Sequence, residues 1–459
     1  MNQRMHRHDD RLFDLISGHV HEQLHSDDIA LDCPDSGEDL GEVLDGLLCA
    51  SGNDPEHVLK LYQRELSRTI INQASPRFLS FIPGAPTKAA QLFDMVVSSD
   101  ALLGTFWLES AGVIAAENQV LRLIADLAGL PATAGGCFVS GGSAGNLSAL
   151  VVARDIARRR LGLPVGSRLR VAVSDQAHSS VGSTLNVIGV EALVVPSVDH
   201  RFTGAALRAA LEDDRDPSPV IAVVATAGTT NAGIIDDLAG IADAAEAHDL
   251  WFHVDAAYGG AGLFAHSVRR KFDGIERADS FIVDSHKWLF GPFGSGALIY
   301  RDPQVARSVH SQVAPYLDGV QTHAGHSKWN PSDYAHHLTR TPGGMPLWFS
   351  LAVHGTDAYR SAIESGISIA RETADLIRAE YPHLEVIRDP ELSCLLFRRH
   401  GWSAGDYYRW SKELLADEIG FILPTTWENE VVGRFAFVHP GTTIEMVRQV
   451  LDSTTEPAS

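Results

Sequence analysis

At 459 residues the chain is long enough to bury a large core and to divide into two or three domains. Its composition, 45% hydrophobic and 21% charged, is that of a globular protein. A net charge of −21 excludes nucleic acid or an anionic membrane surface as the main partner, while leaving room for one local basic pocket.

Taken in chain order, the opening stretch MNQRMHRHDDRLFDL has no apolar signal core. No run approaches the ~18 apolar residues of a membrane span, so a cytoplasmic location without a membrane partner is expected. Cys33, Cys49, Cys137 and Cys394 are far apart, with neither C-x-x-C nor metal-ligand spacing, and are expected to be reduced and buried. HRH and HVHEQLH lack the carboxylates or cysteines that would complete a metal site and read as solvated helix faces, so no metal is expected.

Residues 1–75 form an N-terminal helical segment: RLFDLISGHVHEQLH, GEVLDGLLCASG and DPEHVLKLYQRELSRTIIN repeat apolar residues every three or four positions. Such short helices need another surface to pack on. SPRFLSFIPGAPT marks the entry to a large α/β domain over 76–365. From about residue 118 to 300, helical stretches such as SAGNLSALVVARDIARRRLG alternate with the strands GCFVS, RLRVAVSD, ALVVP, VIAVVATA, LWFHVD, SFIVD and GALIY. The strands are apolar on consecutive positions, as in a mainly parallel sheet covered on both faces. Residues 347–378 read as one long helix or two joined ones. LEVIRD, CLLFRR and RFAFVH, with helices near 405–418 and 442–452, give a smaller C-terminal α+β domain over 366–459.

Ligands of open parallel sheets bind beyond the carboxyl ends of the strands. The segments following the strands are GGSAGN, DQAH, GTTNAG, DAAYGG and DSHKW. In the first, Gly141, Gly142 and Gly145 permit close backbone approach, Ser143 adds a hydroxyl, and the helix that opens there offers free N–H groups to an anion. It is neither a P-loop nor a dinucleotide loop, and an ordinary turn and cap would look the same. Asp255 ends an apolar strand, where a buried carboxylate needs a partner, either an internal hydrogen bond or a ligand's protonated ring nitrogen. His178 suits a core position or a ring stacked on a planar ligand, and Thr229 and Thr230 suit turn hydroxyls. Lys287 stands where a strand yields to a Gly-rich stretch, either as a surface lysine or as a desolvated Schiff-base nucleophile. In this order, an anion site, a histidine, a threonine pair, an aspartate and a lysine match the phosphate, ring nitrogen and aldehyde of pyridoxal 5′-phosphate.

SDQAHSSV, ATAGTTNAG, HVDAAYGG and DSHKWLFGPFGSGALIYRD resemble, in order, the blocks of the group II pyridoxal-phosphate-dependent amino-acid decarboxylases, over about residues 60–450. That family includes the aromatic-L-amino-acid, glutamate, diaminobutyrate and cysteine sulfinate decarboxylases. The resemblance implies a type I aminotransferase-like α/β fold and a homodimer with shared active sites, the N-terminal helices packing at its interface. It implies a Schiff base on Lys287, Asp255 at the ring nitrogen, Ala257 and His178 on the two ring faces, and Thr229 near the ring substituents. Ser143, Ala144 and Gly145 would hold the phosphate, with His286 close by. Tyr316, 29 residues after Lys287, would protonate the substrate carbon. Phe81 and Pro83 would line the substrate pocket, and Arg340 would match the family's arginine beyond the tyrosine loop. Asp284 is not counted as a ligand, because an ionised acid cannot donate to a phosphate.

The implied reaction is decarboxylation of an L-amino acid to an amine and CO2. The alternatives are transamination or decarboxylation-coupled oxidative deamination on the same cofactor, a non-enzymatic cofactor-binding regulator, and a nicotinamide dehydrogenase, which the missing dinucleotide loop opposes.

Overall fold

A computed structural model of the protein describes residues 4–25, 29–31, 40–317 and 329–455, so Cys33 lies outside the described residues. The chain divides into two compact units: residues 81–398 with 434–440, and residues 1–80 with 399–433 and 441–459.

The second of these contains α1 (Asp10–His25), α2 (Leu40–Leu44), α3 (Pro55–Leu61) and the late helices Ala404–Ala416 and Ile444–Asp452. Two of its helices are shorter than their apolar spacing predicts. The one expected over 41–52 stops at Leu44, because Gly46 and Gly52 adopt left-handed conformations at φ 69° and 72°. Cys49 therefore sits in an exposed turn, contrary to the expectation that it is buried, whereas Cys137 and Cys394 are buried. The helix expected over 54–72 loosens after Leu61 into a wide turn and then a tight one. There the Ser67 and Thr69 hydroxyls donate to the carbonyls of Gln63 and Leu66.

The larger unit is built on seven strands: β1 (Gly135–Val139), β2 (Arg170–Ser174), β3 (Glu191–Val195), β4 (Val220–Thr226), β5 (Trp251–Asp255), β6 (Ser280–Asp284) and β7 (Gly296–Tyr300). Their order is β1-β7-β6-β5-β4-β2-β3. Neighbours from β6 to β3 run parallel, and β7 runs antiparallel to both β1 and β6. The helices are α4 (Lys88–Ser99), α5 (Trp107–Leu127), α6 (Gly142–Leu161), α7 (Ser179–Ile188), α8 (Gly204–Asp213), α9 (Leu238–Ala247), α10 (Pro303–His310) and α11 (Met345–Glu380). Gly355, at φ 77°, breaks α11 into two joined helices. A smaller sheet takes its four strands, β8 (Leu384–Val386), β9 (Cys394–Arg399), β10 (Thr425–Trp427) and β11 (Glu430–Ala436), from the last part of the chain. β10 and β11 form an antiparallel hairpin.

Successive side chains of a strand point to opposite faces, and here both faces are covered. On β6, Phe281 and Val283 enter one apolar cluster and Ile282 another. On β7, Ala297 and Ile299 face the first cluster, Leu298 and Tyr300 the second. This is why the central strands are apolar at every position. The edge strand β3 departs from the pattern, with Val194 57% exposed.

Helix α6 lies against β6 so closely that a Cβ on Gly145 would stand 2.5 Å from Ile282 Cδ1 and 3.2 Å from its Cβ. Ile282 is fully buried and stiff about χ1, so it cannot swing away. Gly145→Ala is expected to destabilise the protein by about 1–3 kcal/mol, read as a lowered urea midpoint with an unchanged m-value.

Candidate active site

The strand ends of the larger unit enclose a cavity of about 440 Å³ lined by residues from five loops. Ser140, Gly141, Gly142, Ser143 and Ala144 come from the β1–α6 turn, and His178 and Ser180 follow β2. Thr226, Gly228 and Thr230 come from the end of β4 and the turn after it, Asp255, Ala257 and Tyr258 from the end of β5 and beyond, and Asp284, His286 and Lys287 from the end of β6 and its turn.

Helix α6 opens directly from β1. Gly141 caps it at φ 126° with no side-chain hydrogen bond, so the first-turn N–H groups of a 20-residue helix stay free to meet an anion. A Cβ at Gly141 would stand 3.0 Å from the His286 ring, and one at Gly142 3.0 Å from Asp284 Oδ2. Only a chain of glycines lets this turn approach the β6 turn.

The lysine turn is pinned from both sides. Asp284 N donates to the Ala257 carbonyl at 3.0 Å, and Gly84 N donates to the Lys287 carbonyl at 3.2 Å. Trp288, Leu289 and Phe290 are buried in the core immediately afterwards. Lys287 is thereby left at the rim of the cavity, its Nζ 3.0 Å from Asp284 Oδ2. Asp284 is nearly inaccessible, and its Oδ1 has no hydrogen-bond partner. His286 holds its Nδ1 2.8 Å from the Ser295 carbonyl.

Asp255 is 6% exposed. Its Oδ1 accepts from Ala257 N at 3.1 Å and its Oδ2 from Asn146 Nδ2 at 2.9 Å. His178 caps α7, its Nδ1 accepting from Ser180 N at 3.2 Å. The Tyr258 hydroxyl lies 2.6 Å from Ser393 Oγ, and burial pushes its phenol well above the usual range.

Of the residues expected at the site, Ser143, Ala144, His178, Asp255, Ala257, His286 and Lys287 line this one cavity. Six others do not. Gly145 serves the contact of α6 with Ile282 instead. Thr229 turns its hydroxyl to Ile234 N at 3.1 Å, closing the loop after β4, while Thr226 and Thr230 face the cavity. Phe81 is 46% exposed and Tyr316 73% exposed, and neither lines the cavity, nor does the half-buried Pro83. Arg340 is buried away from it, its guanidinium paired with Glu117, with Nη1 3.0 Å from Oε1. Asn146 and Asp284 are cavity residues that spacing alone had not offered. Asn146 could have been found one helical turn beyond Ser143. Among the described residues no group of three or more His, Cys, Asp or Glu could hold a metal.

Residues 41–400 match the pyridoxal-dependent decarboxylase conserved domain. The chain belongs to that family. Among its relatives, the aromatic-L-amino-acid decarboxylase of Bacillus atrophaeus is 30% identical over 413 residues, covering 87% of this chain and 85% of that one. The L-2,4-diaminobutyrate decarboxylase of Rhizobium meliloti (strain 1021) is 31% identical over 368 residues, 77% of this chain and 72% of that one. The solved structure of Oryza sativa TDC with PLP and tryptamine superposes with a TM-score of 0.89 at 24% identity, covering 98% of each chain. The fold is thus the type I fold of pyridoxal-phosphate enzymes, as the resemblance implied.

This decarboxylase uses pyridoxal phosphate, and the residues present fit it. The uncapped start of α6 suits the phosphate, the carboxylate of Asp255 a protonated ring nitrogen, and the amine of Lys287 an aldehyde. Asp284 is not read as a phosphate ligand, since its nearest partner is the Lys287 amine.

The geometry around Asp255 also has a pH signature. Burial pushes the His253 imidazole from 6.5 down to about 4, against the opposing pull of the Asp255 charge. The unfolded chain therefore binds a proton that the folded decarboxylase refuses between those two values, so this histidine lowers stability as pH falls through that window. Relative to His253→Gln, the wild-type protein is expected to lose about 1.4 kcal/mol of unfolding free energy per pH unit on going from 6.5 towards 4. Paired urea titrations across that range check this.

Proposed function

We propose that the chain decarboxylates an L-amino acid to its amine and CO2, with Lys287, Asp255 and His178 around the coenzyme. One observation carries the reading: an amine, a buried carboxylate and an uncapped helix start open on one cavity, each chemically suited to a different part of pyridoxal phosphate.

When bound, the coenzyme supplies an aldehyde that condenses with amines and a ring that accepts the electron pair left as CO2 departs. Lys287 would hold the aldehyde end, and Asp284, 3.0 Å from Nζ, keeps that amine inside the cavity whenever it is free and charged. Asp255, accepting from Asn146 and Ala257, would hold a proton on the ring nitrogen through a charge-assisted bond. The first turn of α6 with Ser143 would take the phosphate, and His178 and Ala257 would bound the ring. Tyr316 would deliver the proton to the substrate carbon.

That tyrosine is exposed and outside its own chain's cavity, which fits a donor offered to a second copy in a homodimer with shared sites. Leu12, Phe13 and Ile16, exposed along α1, give such a dimer apolar surface to bury. A cytoplasmic location is consistent with the reduced, buried Cys137 and Cys394. No described helix is long and apolar enough to cross a membrane. For the substrate, the two relatives named above are an aromatic-L-amino-acid decarboxylase and an L-2,4-diaminobutyrate decarboxylase.

A panel of the proteinogenic amino acids with 2,4-diaminobutyrate and cysteine sulfinate, scored together for CO2, amine, aldehyde and keto acid, tests the activity. Matched CO2 and amine support it, whereas keto acid without CO2 would make the protein an aminotransferase. Lys287→Ala is expected to lose turnover and the yellow chromophore, and retention of both would remove the lysine from the reaction. Tyr316→Phe is expected to keep the chromophore, cut amine output at least ~100-fold and raise the aldehyde share. Unchanged amine output would take the tyrosine out of the mechanism.

A further inference from the structure

Behind Asp255 lies a line of polar side chains that the proposed reaction does not use. Trp251, His253 and Asp255 alternate along β5 and so share one face, and Ser280 on β6 is the register partner of His253. Trp251 Nε1 donates to Ser280 Oγ at 2.9 Å. Ser280 Oγ lies 2.8 Å from His253 Nδ1, and His253 Nε2 lies 2.9 Å from Asn146 Oδ1. Asn146 Nδ2 reaches Asp255 Oδ2 at 2.9 Å and, more weakly, Ser180 Oγ at 3.4 Å. Ser180 Oγ in turn lies 2.8 Å from His178 Nδ1. Asn146, His253 and Ser280 are completely buried.

The direction of this line is set at its foot and accommodated at its head. At its head the indole N–H can only donate, so Ser280 accepts there and its own proton is free for His253 Nδ1. At its foot an ionised Asp255 can only accept, so the amide of Asn146 must present Nδ2 to it and Oδ1 to the histidine. The foot requires a proton on Nε2 of His253, and the head accommodates a neutral ring there, with Nδ1 accepting from Ser280. Reversing the asparagine would set its oxygen against the carboxylate and leave the His253 Nε2 proton without an acceptor, both costly in a buried site. The branch through Ser180 ends on His178 Nδ1, which accepts from Ser180 N at 3.2 Å and so carries no proton of its own.

We propose that Asn146 and His253 are positioning residues that hold Asp255 as an unprotonated acceptor for the coenzyme's ring nitrogen, with Ser280 and Trp251 setting their orientation. This rests on the reading of Asp255 as the ring-nitrogen partner. A donor from Asn146 favours the charged carboxylate, and without it the proton shared with the ring shifts towards the aspartate. Asn146, poised between Asp255 and Ser180, orients the groups assigned to the ring's edge and to one of its faces together.

The test uses holoenzyme reconstituted with pyridoxal phosphate labelled with ¹⁵N in the ring. The ring-nitrogen chemical shift and the coenzyme dissociation constant are measured for the wild type, Asn146→Leu, His253→Leu and His253→Gln. Wild-type protein should show a protonated nitrogen. Both leucine variants should move the signal towards the unprotonated value and weaken coenzyme binding about tenfold. His253→Gln, whose amide can donate to Asn146 as Nε2 does, should stay within about threefold of wild type. A packing role alone would spare the nitrogen signal. The proposal is overturned if His253→Leu keeps the wild-type signal and affinity, or if His253→Gln is as impaired as His253→Leu. Should the leucine variants fail to fold, Trp251→Phe decides: a signal displaced in the same direction supports the line, and an unchanged one refutes it. A wild-type protein that binds no coenzyme, or whose nitrogen is unprotonated, would instead bring down the reading of Asp255 itself.

Discussion

An ionised carboxylate buried at the floor of a cavity costs several kcal/mol unless donors surround it, and Asp255 is such a group. It stands at the end of β5, in the middle of the sheet, on the wall of the cavity. Two N–H groups, from Ala257 and Asn146, meet its two oxygens. The first comes from the backbone as the chain turns off the strand. The second comes from a helix more than a hundred residues earlier, so the charge of Asp255 depends on how closely α6 packs on the sheet. Gly145 makes that closeness sterically allowed.

The order of the strands does the rest. Parallel strands all end on one side, and β7, running against them, inserts between β1 and β6. That insertion brings the glycine turn before α6 beside the turn bearing His286 and Lys287. Gly296, the register partner of Asp284, leaves room for the contact, since a Cβ there would stand 2.4 Å from Asp284 Oδ1 and 3.1 Å from Gly141 Cα. A cavity that brings an uncapped helix start and an amine together is thus a property of topology as much as of residue type. Lys287 and Asp284 then hold opposite charges together at its edge.

Much of this could be read from the sequence. The seven apolar runs became the seven strands within a residue or two at each end, because burial on both faces makes such strands continuous apolar stretches. Residues immediately after those runs reached the cavity, as strand-end residues of parallel sheets do. The failures have particular causes. The helices expected over 41–52 and 54–72 ignored left-handed glycines and hydroxyls competing for backbone carbonyls. Thr229 and Thr230 are adjacent and chemically alike, yet opposite orientations send one hydroxyl into the loop and leave the other residue at the cavity. Arg340 is cationic, and its nearest carboxylate, Glu117, is 223 residues away along the chain, a pairing no local spacing announces.

By itself, then, the order of residues determined which segments would be strands, where each would end, and that a lysine, an aspartate, a histidine and a glycine-rich helix start would stand at those ends. These follow from short-range burial patterns and from backbone rules that act within a few residues. Only the tertiary structure decided which donors Asp255 accepts from, what Asp284 pairs with, and which side chains among near-identical neighbours turn inward. Those choices belong to hydrogen bonds and contacts made across strands and helices remote in sequence. Their direction is settled only when both partners are in place.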